Sequence, residues 1–333
     1  MRVYLTGATG FVGSNLARVL AEQHGAELFC PVRSTEPPTG APYEWGWIDL
    51  TDHGAARRSV ADVGPELIVH GAILNDFGRL YKHRREAWDA YVGVTRSLAE
   101  AANAAGARLI LISTDWVFDG IDGGYAEEDP PNPVNLYGFL KAASELVATS
   151  RAERASVARI GAVNGVHWAR PHAPRGQDAG FGYFVASLVG ALRVGRPFTV
   201  WEGPRINSVA TPTLASDAAE LIWRIGERDL DGIFHCCGGE SIDRVGLARR
   251  AVEAFELDAT LLVVGSPDPR ALPPAPIPRD TSLIATATAA ALDARLPDLD
   301  TTLARFRHQF ETGRIASVEE AAAVPTGAGE GGS

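Results

Sequence analysis

The sequence predicts an α/β protein in which a doubly wound parallel sheet carries a smaller C-terminal substrate lobe. Three observations point there. Short apolar runs alternate with amphipathic segments through the first half, as in a parallel sheet wrapped by helices. Three glycines at the spacing GxxGxxG follow the first apolar run directly. Beyond residue 165 the alternation lapses into an irregular stretch before helical periodicity resumes. Together these are the marks of a Rossmann-type nucleotide-binding unit followed by a second lobe.

Taken in order, Val3–Leu5 is the first candidate strand, and Val12, Leu16 and Leu20 repeat every four residues as one buried helix face. Glu27–Val32, Leu67–His70 and Arg108–Ile112 read as further buried strands, and a third short apolar run precedes Asp49. Between the last two, Arg85–Ala105 reads as one long helix stopped by Gly106. The alternation persists to about Gly165, which bounds a dinucleotide-binding domain over 1–165. From Val166 to Gly182 the chain is rich in His, Arg, Pro and Gly, and longer than an ordinary connection. Phe184–Leu192, Leu214–Ile225, Val245–Phe255 and Leu299–Phe310 read as helices of a substrate lobe over 166–312, some segments of which are expected to return to the first domain. Ser266–Pro278 is proline-dense loop, and the Gly-rich tail 324–333 is expected to be disordered because it cannot build a core.

The 333 residues are 46% hydrophobic and 22% charged, the balance of a soluble globular chain. A net charge of −10 argues against nucleic acid as partner, since phosphate backbones need a basic face. No apolar stretch approaches the roughly 20 residues that cross a bilayer, and the N-terminus enters a strand-like run without a charged leader, so a cytoplasmic protein away from membranes is expected. Cys30 and the adjacent Cys236 and Cys237 fit buried thiols in a reducing compartment, and no ligand cluster suggests a metal. Among 31 basic Lys and Arg residues only Lys82 and Lys141 are lysines, the mark of a coding bias.

Gly7, Gly10 and Gly13, with Phe11 and Val12 between them, form the candidate phosphate loop. The backbone must turn sharply there and approach a pyrophosphate held at the helix N-terminus. After the second strand such folds place an acid for a ribose 2′-hydroxyl or an arginine for a 2′-phosphate. This chain offers Arg33, with Glu36 further on, which predicts NADP(H) over NAD. Asp49 and Leu50 either meet the adenine edge or open a surface turn with Thr51 and Asp52. Tyr137 and Lys141 stand four residues apart and share a helix face. A phenol near pKa 10 is a poor proton source at neutral pH, and a neighbouring cation is expected to lower that value. Ser113-Thr114-Asp115, ending the Arg108–Ile112 run, supplies a third member of the constellation.

These segments carry a resemblance. The glycine loop, Ser113-Thr114-Asp115-Trp116-Val117-Phe118-Asp119-Gly120 and Glu127-Glu128-Asp129-Pro130-Pro131-Asn132-Pro133-Val134-Asn135-Leu136-Tyr137-Gly138 resemble the extended short-chain dehydrogenase/reductases, within them the dTDP-4-dehydrorhamnose reductase-like family. The similarity is strong over about 1–165 and weaker to about 310, including Pro278-Arg279-Asp280-Thr281-Ser282-Leu283. The resemblance implies an NADPH-dependent reduction of the 4-keto group of a nucleotide-linked 6-deoxyhexose. Tyr137 would protonate the developing alkoxide, Lys141 would hold the nicotinamide ribose, and Thr114 would bond the substrate carbonyl. The segment containing Gly71 and Ala72 would pass beside the cofactor, and His70 before it reads as a packed residue. Superfamily members often dimerise through helices matching Arg85–Ala105 and Tyr137–Thr149, so a homodimer is implied.

Two positions depart from the family. Tyr91 stands where an asparagine supports the proton relay, and Ala162 replaces a tryptophan that packs on the sugar. Trp116, and His167, Trp168, Arg170, His172 and Arg175 of the irregular loop, are candidate contacts to an anionic nucleoside diphosphate sugar, though a solvated loop accounts for the latter group equally well. Arg79, Lys82, Arg84 and Arg85 read as an exposed helix face. Two other functions stay open. A redox-neutral epimerase or 4,6-dehydratase is disfavoured because Trp116 occupies the place of the dehydratase's glutamate base. A non-catalytic NADP-binding subunit resembling the methionine adenosyltransferase regulatory subunit would carry the same motifs.

Overall fold

Residues 1–172 and 176–316 are described by the computed structural model, and a seven-stranded parallel sheet forms its centre. The expected Arg175 contact and the 324–333 tail lie outside the described residues. The first half supplies β1 (Arg2–Thr6), α1 (Phe11–Arg18), β2 (Glu27–Val32), β3 (Glu44–Trp47), α2 (His53–Val63), β4 (Leu67–His70), α3 (Phe77–Lys82), α4 (Arg84–Trp88), α5 (Val94–Ala105), β5 (Arg108–Thr114), α6 (Leu136–Arg151) and β6 (Ala155–Ile160). The second supplies β7 (Val163–Asn164), α7 (Phe184–Leu192), β8 (Phe198–Trp201), β9 (Val209–Ala210), β10 (Thr213–Leu214), α8 (Ala215–Glu227) and β11 (Gly232–His235). It ends with β12 (Ile242–Asp243), α9 (Arg244–Ala254), β13 (Leu262–Gly265), α10 (Thr286–Ala291) and α11 (Leu299–Thr312).

Across the sheet the order is β3-β2-β1-β4-β5-β6-β11, so the winding reverses between β1 and β4. That reversal opens the crevice at the strand C-termini in which doubly wound sheets bind nucleotides. Strands β4, β5 and β6 are buried along their whole length, because helices cover both faces. On one face Val3, Leu5, Val69 and Ile110 pack against Leu16 of α1 and Ala218 and Ile222 of α8. On the other, Tyr4, Ile68 and Leu109 meet Val60 of α2 and Leu98 and Ala102 of α5. Neighbouring residues of one strand thus serve opposite cores.

The sheet takes its seventh strand and the covering helix α8 from beyond residue 165. A separate core, with Phe184 and Leu188 of α7, Leu247 and Ala251 of α9, and Leu303 and Phe306 of α11, holds α7, α9 and α11 together. The expected Arg85–Ala105 helix is a continuous helical run from α4 to α5 interrupted by a π turn over Asp89–Gly93. The wider turn buries Tyr91, Val92 and Gly93, and such turns recur at functional sites. No described helix is long and apolar enough to cross a membrane.

Candidate active site

The glycine loop turns directly out of β1. Gly7 has φ +82°, and a Cβ there would lie 2.9 Å from the Ala72 amide nitrogen. A Cβ on Gly13 would come within 2.0 Å of the Gly7 carbonyl oxygen. No larger residue fits either position without moving backbone. Helix α1 begins at Phe11 with Gly10 as its N-cap and no capping side chain, leaving first-turn N–H groups for an anion. Thr6 Oγ1 accepts the Gly71 and Ala72 amides at 3.1 Å each, which ties the β4 loop to the glycine loop. The hydroxyl's single hydrogen then goes to His70 Nδ1, 2.8 Å away. His70 is neutral and packed: burial, helped by the Lys141 charge, brings its pKa down to about 3.

Arg33 is exposed just past the end of β2. Asp49 Oδ1 accepts the Thr51 amide at 3.0 Å and its hydroxyl at 2.8 Å, so this carboxylate closes the turn leading to α2. Leu50 packs beside Tyr4 and Val60 in the core under α2 and α5.

Tyr137 lies in the first turn of α6, whose N-cap Asn135 accepts the Gly138 amide at 2.9 Å. Gly138 lets this turn press on Trp116, in the 3-10 turn Asp115–Val117, since a Cβ would stand 2.0 Å from the Trp116 carbonyl oxygen. Lys141, one turn on, is 4% exposed, and its Nζ donates to the Ile112 carbonyl at 2.7 Å. Thr114 ends β5, its hydroxyl donating to Asp115 Oδ1 at 2.9 Å and accepting the Trp116 amide at 3.2 Å. Around the phenol stand Phe77, Trp116 and Tyr91, with ring centroids 5.8, 6.0 and 6.3 Å from that of Tyr137. Tyr91 donates to the Leu74 carbonyl at 3.1 Å, and its ring lies 5.8 Å from Lys141 Nζ.

Burial pushes the Tyr137 phenol up to about 12; a hydrogen bond with Thr114 pulls down, and the Asp115 charge adds to the rise. A phenol depressed by Lys141, as the spacing suggested, is not what forms. The ammonium is turned to Ile112, and desolvation of the phenolate dominates. Lys141 itself is brought down to about 8 by burial, with Glu145 acting against the fall.

A family model described as RmlD substrate binding domain matches residues 1–312. The chain belongs to this family. The resemblance to extended short-chain reductases of the dTDP-4-dehydrorhamnose reductase type is borne out. A hypothetical dTDP-4-dehydrorhamnose reductase from Sulfolobus tokodaii superposes with a TM-score of 0.73 at 26% identity, over 90% of this chain and 98% of that one. The dTDP-4-dehydrorhamnose reductase of Bacillus anthracis, solved in complex with NADP, shares the fold at a TM-score of 0.76 and 21% identity, over 92% and 99%. By sequence, methionine adenosyltransferase 2 subunit beta of Bos taurus is 28% identical over 281 residues, 81% of this chain and 78% of the relative. A probable low-salt glycan biosynthesis reductase of Haloferax volcanii is 26% identical over 266 residues, 79% and 83% respectively.

This RmlD-family chain spends part of its irregular loop on structure. Trp168 donates its indole N–H to Asn15 Oδ1 at 2.9 Å, with the Arg18 guanidinium 4.2 Å over its ring, so it staples the loop to α1. His167 is buried and stacks with Phe11 and Tyr183, at centroid distances of 5.9 and 6.4 Å. It also lines a cleft of about 280 Å³ with Tyr183, Arg196 and Phe310, and Tyr137 is not among the residues lining it. Arg170 and His172 are exposed. Ala162 adopts φ +42° and buries its methyl against the Phe181 and Phe184 core.

Several residues of the site carry no signal in the sequence. Thr281 donates to Asp115 across 166 positions. Under Lys141, Glu145 accepts from Ser113 and pairs with Arg159 at 2.9 Å, both members buried. Among the described residues no group of three or more His, Cys, Asp or Glu is placed to hold a metal.

Proposed function

We propose that this chain is an NADPH-dependent reductase of a ketone, the 4-keto group of a nucleotide-linked, dTDP-type 6-deoxyhexose. The observation that carries the reading is Tyr137 with Thr114 and Lys141 at the strand ends beside a glycine loop that admits no Cβ. The residues present fit the cofactor: Gly7, Gly10 and Gly13 with the uncapped start of α1 would hold its pyrophosphate. Phe11, Val12, Gly71 and Ala72 would flank it, exposed Arg33 would meet a 2′-phosphate, and Asp49 and Leu50 would border the adenine. Bound NADPH would supply a hydride to the carbonyl carbon. The Tyr137 phenol, protonated at neutral pH, gives its proton to the carbonyl oxygen as the C=O π bond breaks, because an alkoxide is the stronger base. Thr114, its O–H rotating away from Asp115, would donate to that oxygen beside the phenol. Lys141 keeps two N–H bonds beyond its contact with Ile112, for the nicotinamide ribose and the phenolate that follows proton loss. Phe77 and Trp116 pack their rings around that of Tyr137, which stays half-buried.

An NADPH-oxidation screen across nucleotide-linked 4-keto sugars tests the reading, with Tyr137→Phe as control. Turnover abolished in that variant supports it, and retained turnover overturns the assignment of Tyr137. The relatives named methionine adenosyltransferase 2 subunit beta favour a second reading, a non-catalytic NADP-binding subunit. Tight NADPH binding without turnover on any sugar of the panel would select it.

A further inference from the structure

The segment from Gln177 to Phe181 runs as a strap against Trp116, beside the Tyr137 ring. Three of its consecutive carbonyls are taken up. Arg244 Nη2 donates to Asp178 O at 2.8 Å, the Asn207 amide donates to Ala179 O at 2.8 Å, and Arg244 Nη1 donates to Gly180 O. A further bond runs from Arg244 Nη2 to Gln177 Oε1 at 3.1 Å. The guanidinium sits 4.6 Å from the Phe184 ring centroid and is 2% exposed, so the first residue of α9 anchors the strap from inside the second lobe. An arginine buried so deeply is held by oxygens on both terminal nitrogens, while its Nε–H has no partner.

The strap's other side rests on Trp116. A Cβ added to Gly180 would lie 2.9 Å from Trp116 Cζ2, closer than unstrained carbon atoms approach. Beyond the strap, the indole meets the Phe77 and Tyr137 rings, both at centroid distances of 6.0 Å. Displacement of Trp116 by the strap therefore alters its packing on the Tyr137 ring.

Resting on the reductase reading, we infer that the strap, tied by Arg244 and kept thin by Gly180, sets how far Trp116 stands over Tyr137 and so determines which ring-shaped carbonyl substrates fit. Arg244 and Gly180 are positioning residues that act through Trp116. The substrate class they suit is a saturated ring presenting a C–H face to the Trp116 indole.

The test is a double-mutant cycle on the best sugar of the screen. Gly180→Ala should raise KM about tenfold while kcat stays within about twofold, the signature of lost binding common to ground and transition states. Trp116→Phe removes Cζ2, so in that background Gly180→Ala should change KM by less than about twofold. A Gly180→Ala effect equal in both backgrounds, or absent in the wild type, overturns the inference. Arg244→Met should raise KM in the same way, and Gly180→Ala keeps the test standing if that variant fails to fold. Acrylamide quenching of Trp116 fluorescence, taken as the difference between each protein and its Trp116→Phe partner, reads the geometry without turnover. Unchanged quenching in both Gly180→Ala and Arg244→Met also overturns the strap, whereas a sugar panel with no turnover defeats the reductase reading alone.

Discussion

Lys141 should destabilise the protein that holds it. Its ammonium is 4% exposed, and burial brings its pKa from 10.5 to about 8 although Glu145 lies near. The folded chain therefore binds this proton less tightly than the unfolded chain does. Between about pH 8 and 10.5 the unfolded state carries more protons, so stability rises with pH across that window. The gap between the two values corresponds to about 3 kcal/mol withheld from the folded state at neutral pH. Urea unfolding of wild type and Lys141→Met at pH 7 and pH 10 isolates the effect, since all other titrations cancel in the difference. Wild type should gain about 2–3 kcal/mol on Lys141→Met over that interval. Curves that run parallel from pH 7 to 10 would refute the reasoning, because the buried ammonium would then carry no penalty. The same linkage favours any ligand that engages the ammonium, so NADPH affinity should be greater below pH 8 than above it.

Other outcomes follow from single positions. Gly13→Ala brings a Cβ to 2.0 Å from Gly7 O, so it should cost about 1–3 kcal/mol in thermal unfolding and weaken NADPH in calorimetry. Arg33→Ala should lower NADPH affinity about 10- to 100-fold, the worth of a charge-assisted hydrogen bond, and leave NADH unchanged; equal losses for both would remove Arg33 from the 2′-phosphate site. His70 titrates at about 3 folded against 6.5 unfolded, so stability is lost as pH falls below 6.5. From pH 7 to 4 wild type should lose about 3 kcal/mol more than His70→Asn in urea unfolding. Glu145→Ala strips Arg159 of its buried partner and should cost about 3–5 kcal/mol, whereas Glu153→Ala on an exposed loop should cost almost nothing.

What the sequence disclosed was local. The glycine loop, the Tyr137–Lys141 spacing and the Thr114 position lie within single strand–turn–helix units, where period and residue type speak directly to geometry. The π turn over Asp89–Gly93 carries no such signature, so Tyr91 stood out only as a departure from its family, and its contacts with Leu74 and Lys141 had to be seen. Trp168, an aromatic among basic residues, reads like a ligand contact, yet its indole is held by Asn15 153 positions away. Thr281 on Asp115 and Arg244 on the strap are likewise products of chain return, joined over 166 and 64 positions, and no periodicity reports them.

The two lysines gain meaning from that geometry. Lys82 is exposed, where either basic side chain serves. The buried arginines each meet several oxygens: Arg159 donates to both carboxylate oxygens of Glu145, and Arg244 to Gly180, Asp178 and Gln177. Lys141 meets one, Ile112 O. A guanidinium there would strand most of its five donors in a buried space, and it cannot give up its proton near neutrality. An ammonium strands two at most, and its pKa of about 8 lets it exchange a proton beside the phenol. In a chain that otherwise writes nearly every cation as arginine, lysine persists where donor count and proton exchange both forbid the substitution. Lys141→Arg should therefore unfold more readily than Lys141→Met despite keeping the charge, and the reverse order in a urea titration would show that position 141 has room and oxygens for a guanidinium.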